Sequence, residues 1–126
     1  MEHLFVYGSL VEPRCLDEVL GHPFMGERLR ARLAGYARVA SEAYAFPFIV
    51  QVPDGWVDGV VIMDLSRFDL DTLDRYEDVD AGIYRREPVE VEAWGCGRQP
   101  LRLQAHTYMA GPALLASTSS QPKRNT

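Results

Sequence analysis

The stretch that most constrains the fold of this 126-residue chain is FVYGSL, residues 5–10. Three residues suited to a buried strand run directly into Gly8, Ser9 and Leu10, a turn with little side-chain bulk. A plain tight turn explains the pattern, and so does a backbone whose consecutive N–H groups hold a carboxylate or an oxyanion. The spacing is not the GxxxxGK[ST] of a phosphate-binding loop, so it gives nucleotide binding no support. Both interpretations stay open at this point.

Outward from this turn, the hydrophobic periodicity predicts about six strands and two helices. Pro13 begins the first helix and Gly21 ends it, while Ser66 is the N-cap of the second helix, which runs to about residue 76 or 77. Gly35 predicts either a bulge or a close approach by another backbone, and the Pro-Asp-Gly sequence at 53–55 predicts a turn between two strands. The strands are expected at residues 3–7, 29–39, 46–52, 56–65, 83–94 and 101–109.

This order of elements predicts the fold class α+β, with a small mixed, strongly curved β-sheet or barrel and flanking helices. Strands that follow one another at hairpin-length spacing favour it over a doubly wound α/β fold. One domain is expected over residues 1–112, because the chain has the length of a single core. From residue 113 the composition becomes small and polar, so residues 113–126 are predicted to form a C-terminal tail.

The composition argues against several classes of partner. A net charge of −5 and a pI of about 5.1 argue against broad electrostatic capture of nucleic acid, and Arg28, Arg30 and Arg32 are interpreted as the solvent face of one strand. No apolar run approaches the roughly 18–20 residues needed to cross a bilayer, and the first residues lack the pattern of a signal peptide. We therefore expect a cytoplasmic protein with no membrane partner. Its oligomeric state is left open.

Cysteine and histidine usage predicts neither a disulfide nor a metal site. Cys15 and Cys96 lie far apart in sequence and outside any CxxC pattern, so both are expected to be reduced. The three histidines, His3, His22 and His106, lack the spacing of metal ligands. A nucleophilic Cys15 activated by His106 has no supporting motif.

Glu77 is the residue of the second helix that most suggests chemistry. At about 100° per residue it projects between Leu70 and Leu73, on the apolar stripe of the helix. Burial and the negative end of the helix dipole both disfavour the ionised carboxylate, as do the nearby aspartates at 74, 78 and 80, so its pKa is expected to rise. A raised pKa suits a general base near neutral pH. The alternative is a helix that ends by residue 76, with Glu77 pointing to water.

Three motifs in this order resemble the γ-glutamylcyclotransferase-like superfamily, particularly its AIG2-like and γ-glutamylamine cyclotransferase branch: FVYGSL, GYARV from residue 35 and LDRYEDVDAGIYRREPVEV from residue 73. The similarity covers roughly residues 3–110. The resemblance implies a small mixed barrel flanked by helices, with Glu77 as the catalytic glutamate. It also implies a cavity lined by the turn after the first strand, whose backbone amides hold the substrate. The substrate-binding residues implied in this way are Tyr7, Gly8, Ser9, Leu10 and Tyr84.

The implied reaction is an intramolecular aminolysis of a small γ-glutamyl amide. The α-amine attacks its own γ-carbonyl, 5-oxoproline forms and an amine or amino acid leaves, with Glu77 as general acid and base. The resemblance implies no metal and no cofactor. A non-catalytic small-molecule binding module on the same fold and a Glu-dependent amide hydrolase remain alternatives. Because VEPRCL and DVDAG depart from the family pattern, the substrate stays open among γ-glutamyl amino acids, γ-glutamyl-ε-lysine, glutathione-like peptides and γ-glutamyl intermediates of biosynthesis.

Overall fold

A computed structural model describes residues 2–39, 47–95 and 99–114 of the chain. Within these ranges five strands, two α-helices and one 3-10 turn follow each other. In chain order the elements are β1 (Glu2–Val6), the 3-10 turn (Ser9–Val11), α1 (Pro13–Leu20), β2 (Arg28–Val39), β3 (Phe48–Leu65), α2 (Arg67–Tyr76), β4 (Tyr84–Trp94) and β5 (Leu101–Ala110).

The five strands form one sheet in the order β1-β3-β2-β4-β5, which closes on itself into a barrel. All neighbouring strands are antiparallel except β1 and β5, which pair in parallel through Leu4 opposite His106 and Phe5 opposite Thr107. The predicted class, a mixed and strongly curved sheet with flanking helices, is therefore confirmed. The closing pair also brings the first turn of the chain beside the end of the last strand.

The prediction of a turn at residues 53–55 was wrong. The stretches 46–52 and 56–65 were expected to be separate strands, but one strand, β3, runs through both from residue 48 onward. Segment 52–55 instead bulges out of β3 opposite Gly35, whose φ of 87° suits glycine, and pairing with β2 resumes on either side. Residues 53–55 do not reverse the chain direction, because the parts of β3 before and after them both pair with the same long strand, β2. The predicted bulge at Gly35 is confirmed.

The helix boundaries follow the local signals. Proline stands at the start of α1, and Gly21 ends that helix with a left-handed φ of 80°. The Ser66 side chain accepts a hydrogen bond of 3.1 Å from the Asp69 N–H, which caps α2 as expected. Helix α2 then ends at Tyr76.

Two apolar clusters cover the two faces of the sheet. Leu70 and Leu73 of α2 pack with leucines of α1 and with Ile62 on one face, while Val61 packs with Phe5 on the other. Ile62 and Val61 are both fully buried, so β3 is covered on both sides. Helices α1 and α2 therefore lie on the same face, next to the turn that follows β1.

The remaining expectations concern the surface and the C-terminus. Of the three arginines predicted on the solvent face of β2, Arg30 and Arg32 are exposed, and their guanidinium groups lie over the rings of Trp94 and Trp56. Arg28 departs from the prediction, because only 25% of its side chain is exposed. Leu114 is buried in the helix-side cluster, so the packed part of the chain extends at least that far. The domain boundary at residue 112 stays a prediction, because residues 115–126 lie outside the described part. No helix in the described ranges is long and apolar enough to span a membrane.

Candidate active site

A cavity of about 230 Å³ opens where the end of β1, the end of α2, the start of β4 and the end of β5 meet. Its walls include every site residue that the sequence analysis named: Tyr7, Gly8, Ser9, Leu10, Glu77 and Tyr84. The topology explains this convergence. Since β1 is the neighbour of β5, and α2 packs on the same face as α1, residues distant in sequence line one space.

The first wall is the turn after β1. Gly8 has a φ of −116° and a ψ of −137°, and the N–H of Val11 donates 3.1 Å to the Gly8 carbonyl to form the 3-10 turn. Among the described residues, the N–H groups of Ser9 and Leu10 have no hydrogen-bond acceptor. Two successive backbone donors in a cavity wall, with no acceptor in the described part of the chain, are suited to an anionic group or a carbonyl oxygen.

A second wall carries Glu77, the residue that follows the last turn of α2. The helix does end at Tyr76, as the alternative interpretation supposed, yet the side chain of Glu77 is half-buried in the cavity wall and does not project freely into water. Within the described part of the chain, its carboxylate has no hydrogen-bond or ion-pair partner. Burial, together with the negative charge of Asp78, raises the pKa of Glu77 from 4.5 to about 7.

Two tyrosines complete the polar surface near Glu77. The Tyr7 hydroxyl donates 2.5 Å to the backbone carbonyl of Tyr108, and the Tyr84 hydroxyl donates to the carbonyl of Pro47. Burial raises the pKa of both phenols above the ordinary value, and the neighbouring Glu77 adds to the rise. Both hydroxyls therefore stay protonated at neutral pH and are held by backbone acceptors.

The charges around the cavity are unevenly distributed. Its described lining includes the carboxylates of Glu77 and Asp78 and no lysine or arginine side chain. Arg38 of β2 is close enough to lower the pKa of Tyr7 and Tyr84 slightly against the larger effect of burial. An anionic part of a ligand would thus depend mainly on backbone N–H groups, whereas an ammonium group would face a carboxylate.

Several cavity residues were missed by sequence reasoning. Tyr108 lines the cavity from β5, and Tyr76 from α2 reaches over it, with its hydroxyl 3.3 Å from Ser9 Oγ. No local signal indicates Tyr108, because its place depends on the parallel pairing of β1 with β5. Tyr76 belongs to the LDRY motif and would have followed from the helix period.

The alternative nucleophile and metal arrangements are not assembled in the described part of the chain. Cys15 is a half-buried free thiol on α1, and neither it nor His106 lines the cavity. His106 instead lies 3.6 Å from a carboxylate oxygen of Glu2. In residues 2–39, 47–95 and 99–114, no group of three or more histidine, cysteine, aspartate or glutamate side chains is arranged to hold a metal ion. Cys96 lies outside the described residues.

Comparison with known proteins gives a consistent result. The family model for γ-glutamyl cyclotransferase, AIG2-like proteins matches residues 4–125. The chain is 33% identical over 106 residues to AIG2-like protein C of Arabidopsis thaliana, covering 84% of this chain and 57% of that protein. It is 32% identical over 95 residues to AIG2-like protein A of the same plant, covering 71% of this chain and 56% of that protein. The chain thus spans just over half the length of these relatives.

Solved structures share the fold. A solution structure of a protein from Arabidopsis thaliana superposes with a TM-score of 0.71 at 25% identity, covering 98% of this chain and 84% of that one. A structure of a γ-glutamyl cyclotransferase superposes with a TM-score of 0.67 at 20% identity, covering 86% of this chain and 66% of that one. At this identity the second likeness is one of fold alone.

Proposed function

The chain belongs to the γ-glutamyl cyclotransferase, AIG2-like family, and we propose that it cyclises the γ-glutamyl group of a small γ-glutamyl amide to 5-oxoproline, releasing an amine or amino acid. The observation that carries the proposal is the half-buried carboxylate of Glu77, which has no partner among the described residues and a pKa raised to about 7. A carboxylate with these properties exchanges protons readily at neutral pH.

Proton transfer by Glu77 accounts for the chemistry of both halves of the reaction. The ionised carboxylate takes one proton from the substrate's α-ammonium group, and the freed amine nitrogen forms a bond to the γ-carbonyl carbon. As the tetrahedral intermediate collapses, the amide C–N bond breaks and protonated Glu77 returns the proton to the departing nitrogen. The second proton lost by the ring nitrogen ends on the released amine, so the reaction has no net proton change.

The turn after β1 would bind the substrate. The Ser9 and Leu10 N–H groups, which have no acceptor in the described residues, are suited to the α-carboxylate or to the oxyanion of the intermediate. The partly buried hydroxyls of Tyr7 and Tyr84 would form the neutral walls against which the glutamyl chain folds. Because both reacting groups belong to one molecule, holding that folded conformer removes much of the entropic barrier.

Two other functions remain candidates on the same geometry. A binding module without catalysis would use the same turn, but an anionic ligand would bind better without an unpaired carboxylate in the cavity. An amide hydrolase would use Glu77 to activate water and would release free glutamate instead of 5-oxoproline. The compartment, the oligomeric state and the absence of a nucleic-acid partner stay predictions.

Mass spectrometry of products from a γ-glutamyl amide panel tests the proposal. The panel contains γ-glutamyl amino acids, γ-glutamyl-ε-lysine, glutathione and γ-glutamyl-n-butylamide, each incubated with the wild-type protein, with Glu77→Gln and with Glu18→Gln. Glu18 is an exposed glutamate on α1 and serves as the matched control. We expect 5-oxoproline from the wild type and Glu18→Gln but not from Glu77→Gln.

Each other product pattern contradicts the proposal in a defined way. Free glutamate in place of 5-oxoproline would indicate the hydrolase, and saturable binding without turnover would indicate the binding module. Undiminished 5-oxoproline from a folded Glu77→Gln would exclude Glu77 as the base. Ser9→Ala and Tyr84→Phe should mainly raise KM, since both residues are assigned to positioning.

A further inference from the structure

The two ends of the motif LDRYEDVDAGIYRR meet in the fold through a pair of side chains that the proposed reaction does not use. Arg86 of β4 donates from Nε to Asp74 Oδ1 at 2.9 Å and from a terminal nitrogen to Oδ2 at 3.2 Å. Only 21–22% of either side chain is exposed. A two-point guanidinium–carboxylate pair with this degree of burial has a defined geometry, unlike an ordinary surface ion pair.

A third donor joins the same carboxylate. The hydroxyl of Tyr108, on the neighbouring strand β5, donates 2.7 Å to Asp74 Oδ1. In the sheet Arg86 pairs directly with Tyr108, so two adjacent strands present their donors side by side. Tyr108 also accepts the hydrogen bond from Tyr7 through its backbone carbonyl, and both tyrosines line the cavity. We call Asp74, Arg86 and Tyr108 the clamp.

The clamp contacts the last turn of α2, whose backbone leads directly into Glu77. Asp74 precedes Glu77 by three residues, less than one helical turn, and the helix ends between them at Tyr76. Leu73 is the last fully buried residue of the helix, whereas Arg75 and Tyr76 are exposed. Because the Glu77 side chain has no hydrogen bond among the described residues, its position follows from the backbone of this last turn.

We infer that the clamp is a positioning device, which fixes the end of α2 against β4 and β5 so that the Glu77 carboxylate is held in the cavity for proton transfer. This inference rests on the proposed function for its catalytic consequence, while the placement of Glu77 can be measured without any substrate. An ordinary structural role would stabilise the domain without controlling the environment of Glu77.

Three variants disrupt the clamp with different changes of charge. Asp74→Asn leaves an unpaired positive charge, Arg86→Gln leaves an unpaired negative charge and Tyr108→Phe changes no charge. The matched control is Asp71→Asn, which removes the exposed pair with Arg67 one turn earlier on the same helix. Any effect of merely weakening α2 should appear in the control as well.

The first readout is the pKa of Glu77 from the ¹³C signal of its carboxyl carbon in glutamate-labelled protein, assigned by its loss in Glu77→Gln. Among the described residues, the charged or titratable groups around it are Asp78 on its own loop, Tyr76 at the end of α2, Tyr7 after β1, Tyr84 of β4 and Tyr108 of β5, with Arg38 of β2 near the tyrosines. Released from the clamp, the carboxylate should reach water, so its pKa should fall from about 7 towards 4.5 in all three variants. The control should keep the wild-type value.

Charge alone predicts a different pattern. Loss of the negative charge in Asp74→Asn would lower the pKa of Glu77, whereas loss of the positive charge in Arg86→Gln would raise it. Opposite shifts in these two variants, or no shift in any of the three, would overturn the inference. If Asp74→Asn or Arg86→Gln does not fold, Tyr108→Phe, which keeps the ion pair, decides the matter by itself.

The second readout is turnover of γ-glutamyl-n-butylamide to 5-oxoproline. Misplacement of Glu77 should lower kcat about 10- to 100-fold with a smaller change in KM, while the control stays at the wild-type rate. Arg86→Lys keeps the charge but cannot bind both oxygens, so it should recover only part of the loss. A wild type that forms no 5-oxoproline from any amide contradicts the proposed function, and the ¹³C titration then still decides whether the clamp positions Glu77.

Discussion

Glu77→Gln should make the protein more stable at neutral and alkaline pH while it abolishes turnover. The pKa of Glu77 is about 7 in the folded chain, and 4.5 is its ordinary value, which applies to the unfolded chain. Below pH 4.5 both states carry the proton, so the wild type and the variant should have similar stability. Between pH 4.5 and 7 only the unfolded state ionises, so the wild type loses stability as the pH rises.

The size of this effect follows from the two pKa values. Their difference corresponds to about 3 kcal/mol of unfolding free energy at pH 8, where both states are ionised. A neutral amide of the same shape does not bear this cost, so Glu77→Gln should exceed the wild type in stability by an amount approaching that value. For a domain of this size, a gain of about 3 kcal/mol corresponds to roughly 10 °C or more in Tm.

Urea denaturation between pH 4.5 and 8.5 measures this difference directly. We expect the two unfolding free energies to converge at pH 4.5 and to diverge as the pH approaches 8. Glu18→Gln, which removes an exposed carboxylate on α1, controls for the loss of one negative charge and should follow the wild type. A stability difference that does not depend on pH, or a wild type more stable than Glu77→Gln at pH 8, would refute the reasoning.

Three further predictions concern pH and packing. The kcat/KM of the wild type should rise with pH through about 7, because the base must be ionised. Asp78→Asn should move this rise to lower pH, since Asp78 raises the pKa of Glu77, and initial rates measured across pH test both expectations. Gly59→Ala should lower the unfolding free energy by about 1–3 kcal/mol in urea denaturation, since its Cβ would lie 2.2 Å from a backbone oxygen of β1. The hydrogen bond from His22 to Asp69 raises the pKa of His22 above 6.5, so the stability it contributes is present below pH 6.5 and lost as pH rises through the raised pKa. His22→Ala should therefore lower the Tm at pH 5.5 and leave it nearly unchanged at pH 9.

Local signals in the chain were sufficient for most of the element boundaries. Ser66 and Gly21 mark helix ends through interactions that involve only nearby residues, so a pattern read from the sequence finds them. The turn predicted at residues 53–55 failed for the opposite reason. A Pro-Asp-Gly sequence favours a turn locally, but the continuous pairing with β2 turns the same residues into a bulge.

The features of the cavity also differ in whether the sequence alone could predict them. The sequence by itself determined two features of the site: the turn of small side chains after Tyr7, and the carboxylate of Glu77 on an apolar stripe. Only the tertiary structure decided that Tyr108 borders the same cavity and that Asp74 pairs with Arg86. The first depends on β5 lying beside β1 and β4, and the second on the end of α2 lying against β4. Periodicity and capping are properties of a few consecutive residues, whereas the burial of Glu77, which is the larger cause of its raised pKa, depends on strands far away in sequence.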